Sequence, residues 1–183
     1  MSGTKNLSKE DMNREVTWEN CVDLCRSSQN IVVSGCQRSG TTYGAEALAK
    51  ALGYRHHDEH DFGVSDVIRF KRLLIQDYPK VIQAPAVLHA LKPYERGCII
   101  VIMTRDENEV AASMLKHGWY DNHGREEFSK FSVEIPSSPQ EIYRKKIAFS
   151  KTLKAVELPY RELNKTEGFI KDRSGWHIKQ TKN

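Results

Sequence analysis

Between the apolar triplet Ile31-Val32-Val33 and a stretch carrying Ala45, Leu48, Ala49 and Leu52 at helical spacing lies the segment Gly35-Cys36-Gln37-Arg38-Ser39-Gly40-Thr41-Thr42. A strand-to-helix turn with glycines at its first and sixth positions can direct successive backbone N–H groups inward. It sets an anion at a helix N-terminus, where unpaired donors and the helix dipole both favour negative charge. Arg38 is the one side-chain cation of this loop, and Ser39, Thr41 and Thr42 add hydroxyls. A plain structural turn is the competing reading, and so dense a set of anion-binding groups weighs against it. The segment is expected to hold a phosphate or a phosphate analogue.

A second constellation follows the most apolar run of the chain, Cys98 to Thr104. Arg105 leaves the end of that expected strand and Ser113 sits two helical turns later, so both can face the crevice above the carboxyl edge of a parallel sheet, where open α/β folds bind ligands. For Arg105 the alternative is a surface pair with Asp106 or Glu109; for Ser113 it is a small residue packed near the sheet.

Two other clusters invite chemistry and have plainer explanations. His56-His57-Asp58-Glu59-His60-Asp61 resembles a ligand-rich run, but strand alternation sends neighbours to opposite faces and no zinc spacing fits. A structural or solvated loop accounts for most of it, and one or two of these side chains can overhang the site from the end of the second strand. Cys21 and Cys25 share one helical face without a partner at ligand spacing and read as buried apolar contacts, and His89 reads as a core histidine.

Short apolar runs alternate with amphipathic stretches, which predicts an α/β fold: a central, mostly parallel sheet flanked by helices, in a single P-loop domain spanning 1–183. The expected elements are a leading helix over Ser8 to Ser28 capped by Ser8, with Val16, Cys21, Leu24 and Cys25 on one face, then strands at 31–33, 54–57, 80–83, 98–104 and 155–158. The strand 98–104 is expected to be central. Helices are expected at 41–53, near 65–77, after Pro85, after Asp106 with Val110, Ala111, Met114 and Leu115 buried, and at 141–154. Residues 117–140 carry Gly118, Gly124, Pro136 and Pro139 and read as a lid or acceptor-binding loop.

Composition narrows the class. Hydrophobic residues make up 39% and charged residues 28% of 183, the range of globular chains, and the net charge of +4 suits an anionic small ligand. The basic residues are scattered among 24 acids rather than gathered in a stripe, so nucleic-acid binding is not favoured. No apolar run approaches bilayer length, no apolar h-region follows the polar start, and four unframed cysteines fit a reducing compartment. A cytoplasmic protein with a small-molecule acceptor and no membrane partner is the expectation.

In a nucleotide triphosphatase loop of this spacing a lysine precedes the Ser/Thr; here Thr41 stands in its place, and no apolar strand ends in an Asp fit for magnesium. Arg38-Ser39-Gly40-Thr41-Thr42 instead resembles the phosphosulfate-binding loop of sulfotransferases, a Lys or Arg followed by Ser-Gly-Thr-Thr. The resemblance implies a P-loop fold that binds 3′-phosphoadenosine 5′-phosphosulfate (PAPS) without a metal and releases adenosine 3′,5′-bisphosphate. It implies that Gly35, Arg38, Ser39, Gly40, Thr41 and Thr42 hold the 5′ group, that Tyr43 stacks near the adenine, and that Arg105 and Ser113 clamp the 3′-phosphate. Val156 to Leu163 is similar to the family's strand and Tyr-Glu-x-Leu element. Arg173-Ser174-Gly175-Trp176 is similar to its basic Gly-Trp region, which implies a role for Arg173 at the 3′-phosphate.

Sulfuryl transfer is a loose in-line displacement, so positioning and charge stabilisation carry the rate, with Arg38 and the loop donors set to stabilise the leaving phosphate. A base must also take the acceptor's proton. Cytosolic family members place a His in a Lys-Thr-His segment after the third strand, where this chain reads Gln83-Ala84-Pro85. Other members use a Glu, one arrangement placing it after the second strand, and on that resemblance Glu59 is the first candidate and His60 the second. Two further classes stay open: a P-loop nucleotide kinase or hydrolase, and a catalytically silent nucleotide-binding protein.

Overall fold

Ile31, Val32 and Val33 are wholly buried, alternately facing two different apolar clusters, as a parallel strand covered on both sides requires. They belong to the middle strand of a five-stranded, all-parallel sheet in a computed structural model that describes residues 14–121 and 136–166. In chain order the elements are α1 (Trp18–Cys25), β1 (Asn30–Gly35), α2 (Thr41–Leu52), β2 (Arg55–His57), α3 (Glu59–Phe62), α4 (Val67–Leu74) and β3 (Lys80–Gln83). Two 3₁₀ turns (Pro85–Ala90 and Lys92–Tyr94) follow, then β4 (Ile99–Thr104), α5 (Glu107–Lys116), α6 (Pro139–Ser150), β5 (Ala155–Pro159) and a 3₁₀ turn (Tyr160–Lys165). The sheet order β2-β3-β1-β4-β5 makes this an α/β P-loop fold, with the glycine loop leaving the central strand.

One face of the sheet, carrying Ile31, Val33, Val81, Val101 and Val156, packs on Cys21 and Cys25 of α1 and on Ala45, Leu48 and Ala49 of α2. The other face, carrying Val32, Ile82, Ile100 and Ile102, packs on Phe70, Leu73 and Leu74 of α4 and on Val87, Leu88 and Leu91. Each fully buried Val, Leu, Ile or Phe side chain among these contributes about 1.5–3 kcal/mol. The four cysteines are buried and none is in a disulfide. Lys80 is 0% exposed, and its ammonium is satisfied by Asn30 Oδ1 at 2.8 Å, Gln76 O at 2.7 Å and Tyr78 O at 2.9 Å.

Several elements differ from the sequence expectation. The leading helix begins at Trp18, capped by the Thr17 side chain on Asn20 N, while Ser8 lies outside the described residues. Helix is refused before Trp18 because Val16 N donates to Glu157 O at 2.9 Å and Glu157 N to Arg14 O at 3.0 Å, drawing residues 14–16 alongside β5. The middle strand is β1, not β4, because β5 adds outside β4 and leaves β4 an interior neighbour. Leu115 is 55% exposed rather than part of the buried stripe of α5; Val110, Ala111 and Met114 complete that stripe without it. The helix expected after Pro85 is 3₁₀, and His89 on it is only half-buried. Helix α6 starts at Pro139, with Ser138 as its cap, so the end of the expected lid is helical, and most of 117–140 lies outside the described residues.

Candidate functional site

The loop 35–40 is built from three residues in the left-handed region: Gly35 (φ 137°), Arg38 (φ 69°) and Gly40 (φ 97°). At two of them a side chain has no room. A Cβ on Gly35 would stand 2.7 Å from the backbone oxygen of Met103 on β4, and one on Gly40 would stand 2.4 Å from the Tyr160 ring. Arg38 is the one non-glycine residue with positive φ among the described residues, a conformation that costs of order 1–3 kcal/mol and is characteristic of ligand-binding turns. Within the loop Ser39 turns inward, its N–H and hydroxyl both donating to Cys36 O at 3.1 and 2.6 Å. Gly40 is the N-cap of α2 and supplies no side-chain acceptor to the first turn, Thr41 to Tyr43. Those backbone donors are what an anion at this helix end would engage.

Arg38 Nε donates to Ser113 Oγ at 3.0 Å, and burial followed by the nearby charge of Arg105 lowers its pKa. Two guanidiniums from different elements therefore meet at the carboxyl edge of the sheet and repel each other, an arrangement that an anion between them relieves. Arg105 also lies 4.3 Å over the Tyr160 ring, and its Nε donates to Glu109 Oε2 at 2.7 Å. Tyr143 on α6 fixes the strand end: its hydroxyl donates to the backbone carbonyl of Arg105 and accepts from Arg105 N at 3.2 Å. The structure thus unites Gly35, Arg38, Ser39, Gly40, Thr41 and Thr42 with Arg105 and Ser113. The surface pair with Glu109 exists alongside that grouping, not instead of it.

Tyr43, the third residue of α2, packs on the core, and its hydroxyl bonds Thr166 Oγ1 at 2.8 Å. Glu59 opens α3 just past the end of β2 and is half-buried, whereas the His60 side chain is 79% exposed and 3.8 Å from Asp58. Asp58 and Asp61 form the capping box of that helix, and His57 is buried, so most of this acidic and imidazole run is structural. Arg173 lies outside the described residues.

Three residues enter the site without having been singled out as ligands in the sequence. Tyr160 closes over Gly40 and stacks on Arg105. Lys146 of α6, 0% exposed, donates to Gln37 Oε1 of the loop and stands 5.6 Å over the Trp119 ring, tying the loop to the helix beyond the expected lid. Gln83 ends β3 beside β1 at 3% exposure, and its Oε1 has no hydrogen-bond partner among the described residues. Only the motif order around Tyr160 carried a signal in the sequence; the other two depend on burial and on a contact 109 positions apart.

Among the described residues no group of three or more His, Cys, Asp and Glu side chains is placed to hold a metal ion, and no helix is long and apolar enough to cross a membrane. No family model matches the chain, and no curated protein matches it. Among solved structures it is similar to a shikimate kinase from Acinetobacter baumannii in complex with shikimate, at 13% identity and a TM-score of 0.46, covering 74% of this chain and 86% of that one. It is also similar to the YorR protein from Bacillus subtilis in complex with phosphorylated GDP, at 12% identity and a TM-score of 0.47, covering 72% of this chain and 84% of that one. The fold assignment rests on the chain's own strand order and loop, an α/β P-loop sheet with the glycine loop at its carboxyl edge.

Proposed function

We propose that the chain binds PAPS and transfers its sulfuryl group to a hydroxyl or amine of a small acceptor, releasing adenosine 3′,5′-bisphosphate. The observation that carries this reading is the meeting of Arg38, Ser113 and Arg105: two cations at one crevice call for more negative charge than a single loop-bound phosphate brings. In this reading the loop donors and Arg38 hold the 5′ phosphosulfate, and Arg105 with Ser113 holds the 3′-phosphate. Tyr43 and Tyr160 flank the nucleoside, and Arg173 adds to the 3′ side.

The acceptor's oxygen or nitrogen attacks sulfur in line. The S–O bond to the 5′-phosphate breaks as the new bond forms, and the acceptor's proton passes to the Glu59 carboxylate, with His60 the second candidate. Arg38 and the loop N–H groups stabilise the charge that grows on the departing phosphate oxygen, where one fixed donor is worth about 3–4 kcal/mol. Gln83 Oε1 is suited to accept a hydrogen bond from the acceptor. In this reading no metal takes part in the transfer.

Calorimetric titration of the full chain with adenosine 3′,5′-bisphosphate and with ATP, each with and without magnesium, tests the reading. Tight, magnesium-independent binding of the bisphosphate and weak binding of ATP are expected. Preference for magnesium-ATP would instead assign the chain to the nucleotide kinases or hydrolases. Bisphosphate binding without sulfuryl transfer to any of a broad panel of acceptors would leave a silent binding protein.

A further inference from the structure

A cleft of about 480 Å³ lies on the outer flank of β2, the edge strand, between that strand and α4. Two strands, β2 and β3, separate it from the loop on β1, while α3, which carries the proposed base Glu59, lends it Asp61 and Phe62. Its walls bring together Arg55 of β2, Arg69 and Arg72 from one face of α4, and Tyr78 from the segment before β3, with His57 and Asp61 completing them.

The charge in this cleft is unbalanced. Three guanidiniums face one carboxylate, Asp61, and that carboxylate is already engaged by His57 Nδ1 at 3.3 Å and by Asp58 N at 3.2 Å. Arg69 shares Asp66 at 3.4 Å, whereas Arg55 and Arg72 have no carboxylate partner among the described residues. His57 registers the excess: burial first, and then the charge of Arg55, lower its pKa. On an open face such cations would each be hydrated alone; here they converge on one concavity.

The floor of the cleft is polar and fixed. The Tyr78 hydroxyl is 3.0 Å from His57 Nε2 and donates to Gln76 Oε1 at 2.7 Å, and Asp61 holds the other imidazole nitrogen. Lys80, buried beneath, holds the Tyr78 carbonyl at 2.9 Å and lies 4.5 Å from its ring centroid, adding a further positive charge. Phe62 and Leu73, both buried, add apolar wall. A cavity of this size with a few converging polar groups and an apolar side has the make-up of a small-molecule site.

We infer that this cleft is a second anion site, one that takes a phosphate or sulfate monoester, its oxyanion among Arg55, Arg69 and Arg72 and its organic part against Tyr78, Phe62 and Leu73. Planar guanidiniums fork onto tetrahedral oxyanions, and charge-assisted bonds of that kind dominate the affinity for small esters.

Phenyl phosphate and phenyl sulfate are the probes, titrated into the full-length protein and followed by calorimetry and by the NMR signals of the His57 ring. The protein variants are wild type, Arg38→Ala, in which the loop is disabled, and Arg55→Gln with Arg72→Gln. Saturable binding that shifts the His57 signals, is retained in Arg38→Ala and weakens roughly tenfold or more in the double variant is expected. Binding of phenyl phosphate ahead of phenyl sulfate assigns the site to dianions, and the reverse order assigns it to sulfate esters. Both substituted side chains are exposed, so the double variant should keep its unfolding midpoint; if it does not, Arg72→Gln alone is read in its place. Absence of saturation for both esters, loss of binding in Arg38→Ala, or binding unchanged in the arginine variants would each overturn the assignment.

Discussion

Arg38 Nε on the loop after β1 donates to Ser113 Oγ on α5 across 3.0 Å, joining positions 75 residues apart in the chain. This bond holds the loop cation beside the end of β4, from which Arg105 emerges, so the loop and the β4–α5 junction form one candidate site. Arg38 is held at φ 69° and beside a second cation, and an anion bound between the two guanidiniums would offset their repulsion.

Removing the loop cation tests its part in transfer. Arg38→Ala is expected to weaken bisphosphate binding by roughly tenfold or more and to lower turnover by a factor of about 10²–10³. Binding calorimetry and labelled sulfuryl transfer measure the two effects, and wild-type values for both would take the loop out of the mechanism.

Glu109 competes with the ligand for Arg105, since it accepts from Arg105 Nε at 2.7 Å. Its side chain is 57% exposed, and pairs of that kind contribute only about 0–1 kcal/mol. Glu109→Gln should therefore tighten bisphosphate binding by no more than about fivefold. Weaker binding in this variant would show that Glu109 orients Arg105 for the ligand instead of competing for it.

The loop glycines should fail for different reasons. Gly35→Ala meets the Met103 backbone oxygen at 2.7 Å, which cannot move without parting β1 from β4, and Gly40→Ala meets the Tyr160 ring at 2.4 Å, which can. Each is expected to lose about 2–4 kcal/mol from backbone strain and overpacking together. Adding Tyr160→Ala should recover part of the loss for Gly40→Ala and none for Gly35→Ala, read from denaturant midpoints. Equal recovery in the two backgrounds would refute this account of the contacts.

Much of this architecture was legible in the sequence because buried parallel strands are continuous apolar runs and the glycine loop has a fixed spacing. The apolar run of β4 reads the same whether the strand is central or next to centre, since β1 and β4 are both covered on two faces. Val16 fitted a helical stripe and is instead held extended by Glu157, a partner 141 positions away that no local pattern announces. Arg105 and Ser113 could be singled out as candidates because their spacing is local, whereas Gln83 was passed over because what sets it apart is a buried carbonyl, and burial is not written in a residue's type. Arg69 and Arg72 look like an ordinary solvated helix face until α4 docks beside Arg55.

Acid should loosen the β2 flank. Burial and Arg55 lower the pKa of His57 from its ordinary 6.5, so between the depressed folded value and 6.5 the unfolded chain binds more protons and stability rises with pH. The contribution of His57 is thus present above pH 6.5 and is lost as pH falls through its folded value. Thermal midpoints measured from pH 8 down to pH 5 should fall more steeply in wild type than in His57→Gln. Parallel slopes would contradict the shift.

The most direct test of the central claim, that Arg105 and Ser113 read a 3′-phosphate while the loop holds the 5′ group, compares two ligands in two proteins. Adenosine 3′,5′-bisphosphate and AMP, which lacks the 3′ group, are titrated into wild type and Arg105→Ala. Charge-assisted hydrogen bonds of about 1.5–3 kcal/mol each predict that wild type prefers the bisphosphate by roughly tenfold or more. Arg105→Ala should lose most of that preference while binding AMP as wild type does. Equal weakening of both ligands in the variant, or no preference in wild type, would contradict the claim and leave Arg105 a support of the fold.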